Sequence, residues 1–188
     1  MAATAAPPIT VEQFLRFRSP RGFRCELING EIILSPDPKA PHYDVCERIY
    51  KFLERTCEEP AYKVLQRINL QMKNPYYMPS PDVMVIDYAK WIEAQTSGYP
   101  KATPLLVVEV ISPANRRRAT AAKVQGYLED GAPEVWVIYP KRRTVDVHRP
   151  SVTLSIAESG TVSLPSPLPP ASFSAKQLFS FAEPLAIL

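Results

Sequence analysis

Along most of this chain the apolar positions recur at about two or about 3.6 residues, and the switches between these periods mark the elements. Thr10-Val11-Glu12-Gln13 has the spacing of a capping box and predicts a short helix through Phe14 and Leu15. Arg24–Ile28 and Glu31–Leu34 flank Asn29-Gly30, the strongest short-range signal for a hairpin. After a proline-rich loop, a helix begins near His42, with Val45, Ile49, Phe52 and Leu53 on one face. Strands are predicted at 62–72, 82–87 and 105–111, with a short helix and loop between the last two. A helix from Arg117 to Asp130 follows, with Ala121, Val124, Tyr127 and Leu128 facing inward and Gly131 as its stop. Val135–Tyr139 turns at Pro140–Arg143 into Thr144–His148, and a further strand near 152–157 extends this meander. Residues 163–172 are spaced by prolines, and Ser174–Phe181 predicts a closing helix. This order gives an α/β or α+β domain on one mixed sheet, with an N-terminal hairpin and a C-terminal meander. The helix between strands 105–111 and 134–139 makes a right-handed crossover, so those two strands run parallel.

Composition narrows this picture. At 188 residues and 46% hydrophobic, the chain reads as a single domain over 10–188 behind a loose tail at 1–9. The net charge of +3 permits a nucleic-acid partner without arguing for one, so only local clusters bear on it. Cys25, Cys46 and Cys57 are widely spaced and suit a reduced compartment. Neither His42 nor His148 stands at a spacing that would complete a zinc site with them. The N-terminus has no signal-peptide character, and no stretch approaches the roughly 20 apolar residues of a membrane span. No membrane association is expected, and the cytoplasm is the expected location.

The chemistry lies with acids in the core. Leu105–Ile111 is apolar except for Glu109, and Asp82 leads directly into Val83-Met84-Val85-Ile86. Buried carboxylates are costly unless a cation or a metal faces them. Two acids on two core strands therefore either converge on a divalent cation or pair with arginines. Lys123 and Tyr127 share a helix face one turn apart, and Lys123 adjoins the apolar seam, within reach of the strand that carries Glu109. Arg116, Arg117 and Arg118 stand at the start of that helix. Cations there oppose the helix dipole, which reads as phosphate contacts or as solvated side chains. Lys141-Arg142-Arg143, in a hairpin turn, read as a solvated face, and Trp91 and Trp136 as packing residues.

Taken in order, Cys25-Glu-Leu-Ile-Asn-Gly-Glu31, Pro41-His42, Pro81-Asp82-Val83, Val107-Val-Glu-Val-Ile-Ser-Pro113, Lys123-x-x-x-Tyr127 and Gly131-Ala-Pro-Glu-Val-Trp-Val-Ile138 resemble the Uma-two family. These are bacterial proteins assigned as endonucleases with the restriction-endonuclease-like PD-(D/E)-x-K fold. The resemblance covers roughly residues 10–180. It implies that Asp82 is the motif aspartate and Glu109 the second metal-binding acid, with the Val110 carbonyl as a further ligand. The general motif would place its lysine at 111, where this chain has Ile111. In the family the lysine comes from the following helix, which implies Lys123. Glu26 and His42 match patterned family positions. The first reads as a third carboxylate or an arginine-paired acid, the second as a phosphate or water contact or a helix cap.

What the resemblance implies is Mg²⁺-dependent hydrolysis of DNA phosphodiesters, with Mn²⁺ as a substitute metal. Lys123 would face the developing negative charge. A two-fold dimer would suit cutting both strands, by analogy of fold alone. A nuclease fold kept as a nucleic-acid-binding or protein-binding module is the competing expectation, and hydrolysis of another phosphoester a third.

Overall fold

A computed structural model describes residues 7–36, 38–112 and 117–180, without the side chains of Arg117 and Arg118. Helix α1 (Val11–Phe14) opens with the expected capping box. Thr10 Oγ1 accepts the Gln13 N–H at 3.3 Å, and Gln13 Oε1 accepts the Thr10 N–H at 2.9 Å. Strands β1 (Phe23–Ile28) and β2 (Glu31–Pro36) form the hairpin, paired Ile28 to Glu31. Asn29 and Gly30 both have positive φ, 51° and 77°, the pattern of the tight turn that an Asn-Gly pair favours.

Helix α2 (Ala40–Thr56) buries His42, Val45, Cys46, Ile49, Phe52 and Leu53 on one face, as its periodicity predicts. Strand β3 (Tyr62–Leu65) is shorter than the expected 62–72. Arg67 takes a left-handed φ of 52°, which ends the extended run, and the chain then follows the 79–81 loop through Arg67 N–H to Pro81 O and Leu70 N–H to Pro79 O. Next come β4 (Val83–Asp87), α3 (Tyr88–Ser97), β5 (Leu106–Val110), α4 (Arg117–Glu129) and β6 (Val135–Tyr139). The C-terminal part holds β7 (Thr144–Arg149), β8 (Val152–Ala157), β9 (Thr161–Ser163), β10 (Ser172–Ser174) and α5 (Ala175–Phe179). The β9–β10 pair is not foreseen by the pattern, since strands of three residues carry no readable period.

Six strands form the central sheet in the order β3-β4-β5-β6-β7-β8, antiparallel except where β5 and β6 run parallel across α4. The fold is thus mixed α+β with helices against the sheet. Alternation divides the strands between two cores. Val83, Val85, Val108, Trp136 and Ile138 pack with α2 and α5, while Met84, Ile86, Val107, Val135 and Val137 pack with Val124 and Tyr127 of α4. Helix α4 is rotated from the predicted face: Ala121 is exposed and Lys123 is buried. Its ammonium has carboxylate partners beneath the helix, which the methyl of Ala121 could not use.

Gly126 lets α4 sit this close. A Cβ there would stand 2.4 Å from the ring of Tyr77, itself 1% exposed and hydrogen-bonded to the Lys123 carbonyl at 2.8 Å. Gly126→Ala should destabilise the protein by about 1–3 kcal/mol through overpacking. That outweighs the ~1 kcal/mol an alanine adds to a helix. Urea midpoints measure it, and an unchanged or higher midpoint would contradict the close fit.

Candidate active site

The register of the sheet brings the two core acids together. Val83 pairs with Val108 in the antiparallel β4–β5 ladder, so the next step outward sets Asp82 opposite Glu109. Both are buried, 2% and 4% exposed. Asp82 Oδ2 accepts the Val110 N–H at 2.9 Å and faces His42 Nε2 at 3.1 Å, and Oδ1 accepts Arg24 Nη1 at 3.2 Å. An ionised carboxylate can only accept, so the His42 ring presents N–H at Nε2. Its Nδ1 stands 3.5 Å from Cys46 Sγ, one helical turn on. His42 is buried and both its ring nitrogens are engaged, which makes it a brace between α2 and Asp82.

Lys123 crosses from α4 to the acids. Its Nζ lies 2.7 Å from Glu109 Oε1 and 2.7 Å from Glu26 Oε1. Tyr127, one turn along, donates its hydroxyl to the same Glu109 oxygen at 2.8 Å. Glu26, on the hairpin, also accepts the Ser80 N–H at 2.7 Å. It is thus neither a surface acid nor an arginine's partner. Asp82, Glu109, Lys123, Glu26 and His42 therefore meet in one cluster, and the N–H of Val110 adjoins it. Ile111, at the position of the missing motif lysine, packs against the α4-side core.

Electrostatics sets these groups apart. Burial works to raise Asp82, but the hydrogen bond and charge of His42, with Arg24 and Lys123, hold it below the usual carboxylate range. Glu109 goes the other way: burial pushes it up, Lys123 opposes, and Asp82 and Glu26 add to the rise. Burial disfavours the Lys123 ammonium, yet Glu109, Glu26 and Asp82 outweigh it and hold the group charged. Three buried carboxyl groups face two permanent cations, Arg24 and Lys123, so carboxyl groups outnumber fixed positive charges there.

That surplus suits a divalent cation. The Tyr127 hydroxyl and the Ser80 N–H donate to Oε1 of Glu109 and of Glu26, and the closest approaches of Lys123 are to the same oxygens. Carboxylate and carbonyl oxygens are the hard donors that Mg²⁺ and Mn²⁺ take. His42, Cys46 and Asp82 also place donor atoms within 4.8 Å of one another. Against the expectation that neither histidine stands at a ligand-like spacing to the cysteines, His42 and Cys46 are four residues apart on one face of α2. Burial pushes the Cys46 thiol up, away from the thiolate a zinc-type site requires. The oxygen set fits a metal better than this trio does.

The model of a family described as "Uma2: Putative restriction endonuclease" matches residues 11–177. The chain belongs to the Uma2 family. Among solved structures, a crystal structure titled as a putative nuclease belonging to DUF820, from Anabaena variabilis ATCC 29413, aligns with a TM-score of 0.76. The two are 22% identical over 93% of this chain and 99% of that one, a likeness that speaks for the fold. No curated protein matches. No helix among the described residues is long and apolar enough to cross a membrane.

Several parts of this Uma2 site escaped the sequence reading. In the sequence Arg24 reads only as a strand residue, although its Nη1 lies 3.2 Å from Asp82 Oδ1. Tyr77, which fixes the Lys123 carbonyl, sits in a loop with no local pattern. Of the arginines expected to bind nucleic acid, Arg116 lies outside the described residues. Arg117 and Arg118 begin α4, with side chains outside the description. The 141–143 turn is engaged within the fold: Arg142 stacks over Tyr139 at 3.8 Å, and Arg143 pairs with Glu158.

Proposed function

We propose that this Uma2 protein is a metal-dependent nuclease that hydrolyses DNA phosphodiesters at the Asp82–Glu109–Lys123 cluster. The observation that carries the reading is the ammonium of Lys123, buried and shared between two glutamates beside a third buried acid. A fold alone gives no reason to bury such a group. Asp82, Glu109 and the carbonyl of Val110 would hold Mg²⁺ or Mn²⁺. Bound there, the ion would lower the pKa of a coordinated water and act as a Lewis acid on the phosphate.

The remaining work belongs to the chain. Arg24 and His42 fix the Asp82 carboxylate, with the Val110 N–H, so that its orientation is set before any ligand arrives. Tyr127 does the same for Glu109. Lys123 presents a fixed positive charge to the developing phosphorane, and Glu26 holds that ammonium in place. His42 is a positioning residue in this scheme, since both of its nitrogens are taken.

Incubation with supercoiled plasmid in Mg²⁺, Mn²⁺ or EDTA tests the proposal. Nicking is expected with either metal and none in EDTA, and Asp82→Asn should abolish it. Equal nicking by Asp82→Asn, or none by the folded wild type with any metal, would remove catalysis from this cluster.

A further inference from the structure

Beside the acids the surface opens into a cleft of about 270 Å³, with Arg24, Arg67 and Ser80 towards the acid cluster and Phe17, Phe23 and Tyr99 among its other lining residues. Two of these residues also belong to the acid cluster. Arg24 Nη1 holds Asp82, and the Ser80 N–H holds Glu26. Whatever occupies the cleft therefore lies against the proposed reaction centre.

Several features here cost the folded protein, although the Arg67 guanidinium lies over the Tyr43 ring, 5.4 Å from its centroid. Arg67 has φ of 52°, a region that long side chains avoid. Its Nε and Nη2, and the Nε of Arg24, are buried donors without a partner among the described residues. Phe17, Phe23 and Tyr99 remain 43%, 45% and 39% exposed. The strap that leads into the cleft reads Arg16-Phe-Arg-Ser-Pro-Arg-Gly-Phe-Arg24, arginines and phenylalanines without an acid. Within it Arg16 pairs with Glu12 and Arg24 with Asp82.

Unpaired guanidinium N–H groups match phosphate oxygens, and arginine presents them as a planar fork. Exposed aromatic faces next to such charge are what a nucleic-acid strand with unstacked bases uses. In an intact duplex the bases are already stacked and their faces are not offered. We infer that the cleft takes one unpaired nucleotide of a DNA strand next to the scissile phosphate. Arg24 and Arg67, which line the cleft, hold its phosphate, and Phe17, Phe23 and Tyr99 receive its base. The substrate class is then single-stranded or frayed DNA, not closed duplex. That the phosphate is scissile rests on the nuclease proposal; the binding does not.

Fluorescence anisotropy on the full chain carrying Glu109→Gln, in EDTA, separates the two. The probes are one labelled oligonucleotide as a single strand and the same sequence as a blunt duplex. The single strand should bind about tenfold tighter or more, the contribution of stacking one or two bases. Adding Phe17→Ala and Phe23→Ala, both at exposed positions, should remove that preference and leave duplex affinity unchanged. Arg67→Gly should weaken single-strand binding and flatten its salt dependence. Its melting temperature should stay at or above that of the parent, because the strained backbone and the orphaned donors are gone. Equal affinity for both probes, or a folded phenylalanine double variant with undiminished preference, overturns the inference while leaving the nuclease proposal standing. A fall in both binding and melting temperature for Arg67→Gly would make Arg67 a structural residue and overturn its part. No affinity for either probe would sink both readings together.

Discussion

Replacing Lys123 by methionine is expected to destabilise the metal-free protein by about 3–5 kcal/mol, the usual loss when one partner of a buried ion pair is removed. Lys123 is 8% exposed, and its ammonium is 2.7 Å from both Glu26 and Glu109. Methionine fills a similar volume but leaves two buried carboxylates facing each other. In a chain of this length the loss amounts to roughly 6–20 °C in melting temperature. Adding Glu109→Gln to Lys123→Met should return much of it, because one of the abandoned charges is gone, and a double-mutant cycle in EDTA measures that coupling. Divalent metal should then stabilise Lys123→Met more than it stabilises the wild type. A loss below ~0.5 kcal/mol, the ordinary size of a surface substitution, would take Lys123 out of the cluster.

Lys123 also marks how far the sequence could be read. Its distance from Val124 on the seam put it near Glu109, yet periodicity assigned the inner face to Ala121. Hydrophobic pattern ranks a methyl above an ammonium and cannot see a carboxylate on another element. The acids were legible because they interrupt strands that are otherwise apolar, and the β4–β5 ladder then has to bring them together. Glu26 was legible only by family likeness, since a hairpin acid looks the same whether it faces water or a lysine. Arg67 was not legible at all. Its importance lies in a left-handed backbone and unpaired donors, and neither leaves a mark in the neighbouring residues. Arg16–Arg24 is readable in principle: arginines interleaved with phenylalanines are a compositional signal, though no period accompanies it.

Glu109→Gln separates charge from shape at the same centre, and its expected effects on activity and on stability have opposite signs. The amide keeps the side chain's volume and can still accept from Tyr127 and Lys123. It gives up the negative charge that a metal ligand needs. Metal-dependent cleavage should fall by more than the ~10–100-fold typical of losing a residue that merely supports a ligand. The metal-dependent rise in melting temperature should shrink with it. Without metal the variant should be the more stable protein above neutral pH. Glu109 is shifted from 4.5 to about 7 in the folded state, so the folded protein holds that proton more tightly than the unfolded chain. Its ionisation therefore opposes folding, and wild-type stability falls as pH rises across that window. Asp82 has the opposite sign. It is lowered from 3.8 to about 2, so its contribution is present above the ordinary carboxylate range and lost as pH falls through that interval. Thermal melts of both proteins in EDTA across this range check the argument. Glu109→Gln should lose the decline towards neutral pH and keep the acid-side decline. Parallel curves for the two proteins, together with undiminished cleavage by the variant, would mean that Glu109 neither opposes folding when ionised nor holds the metal.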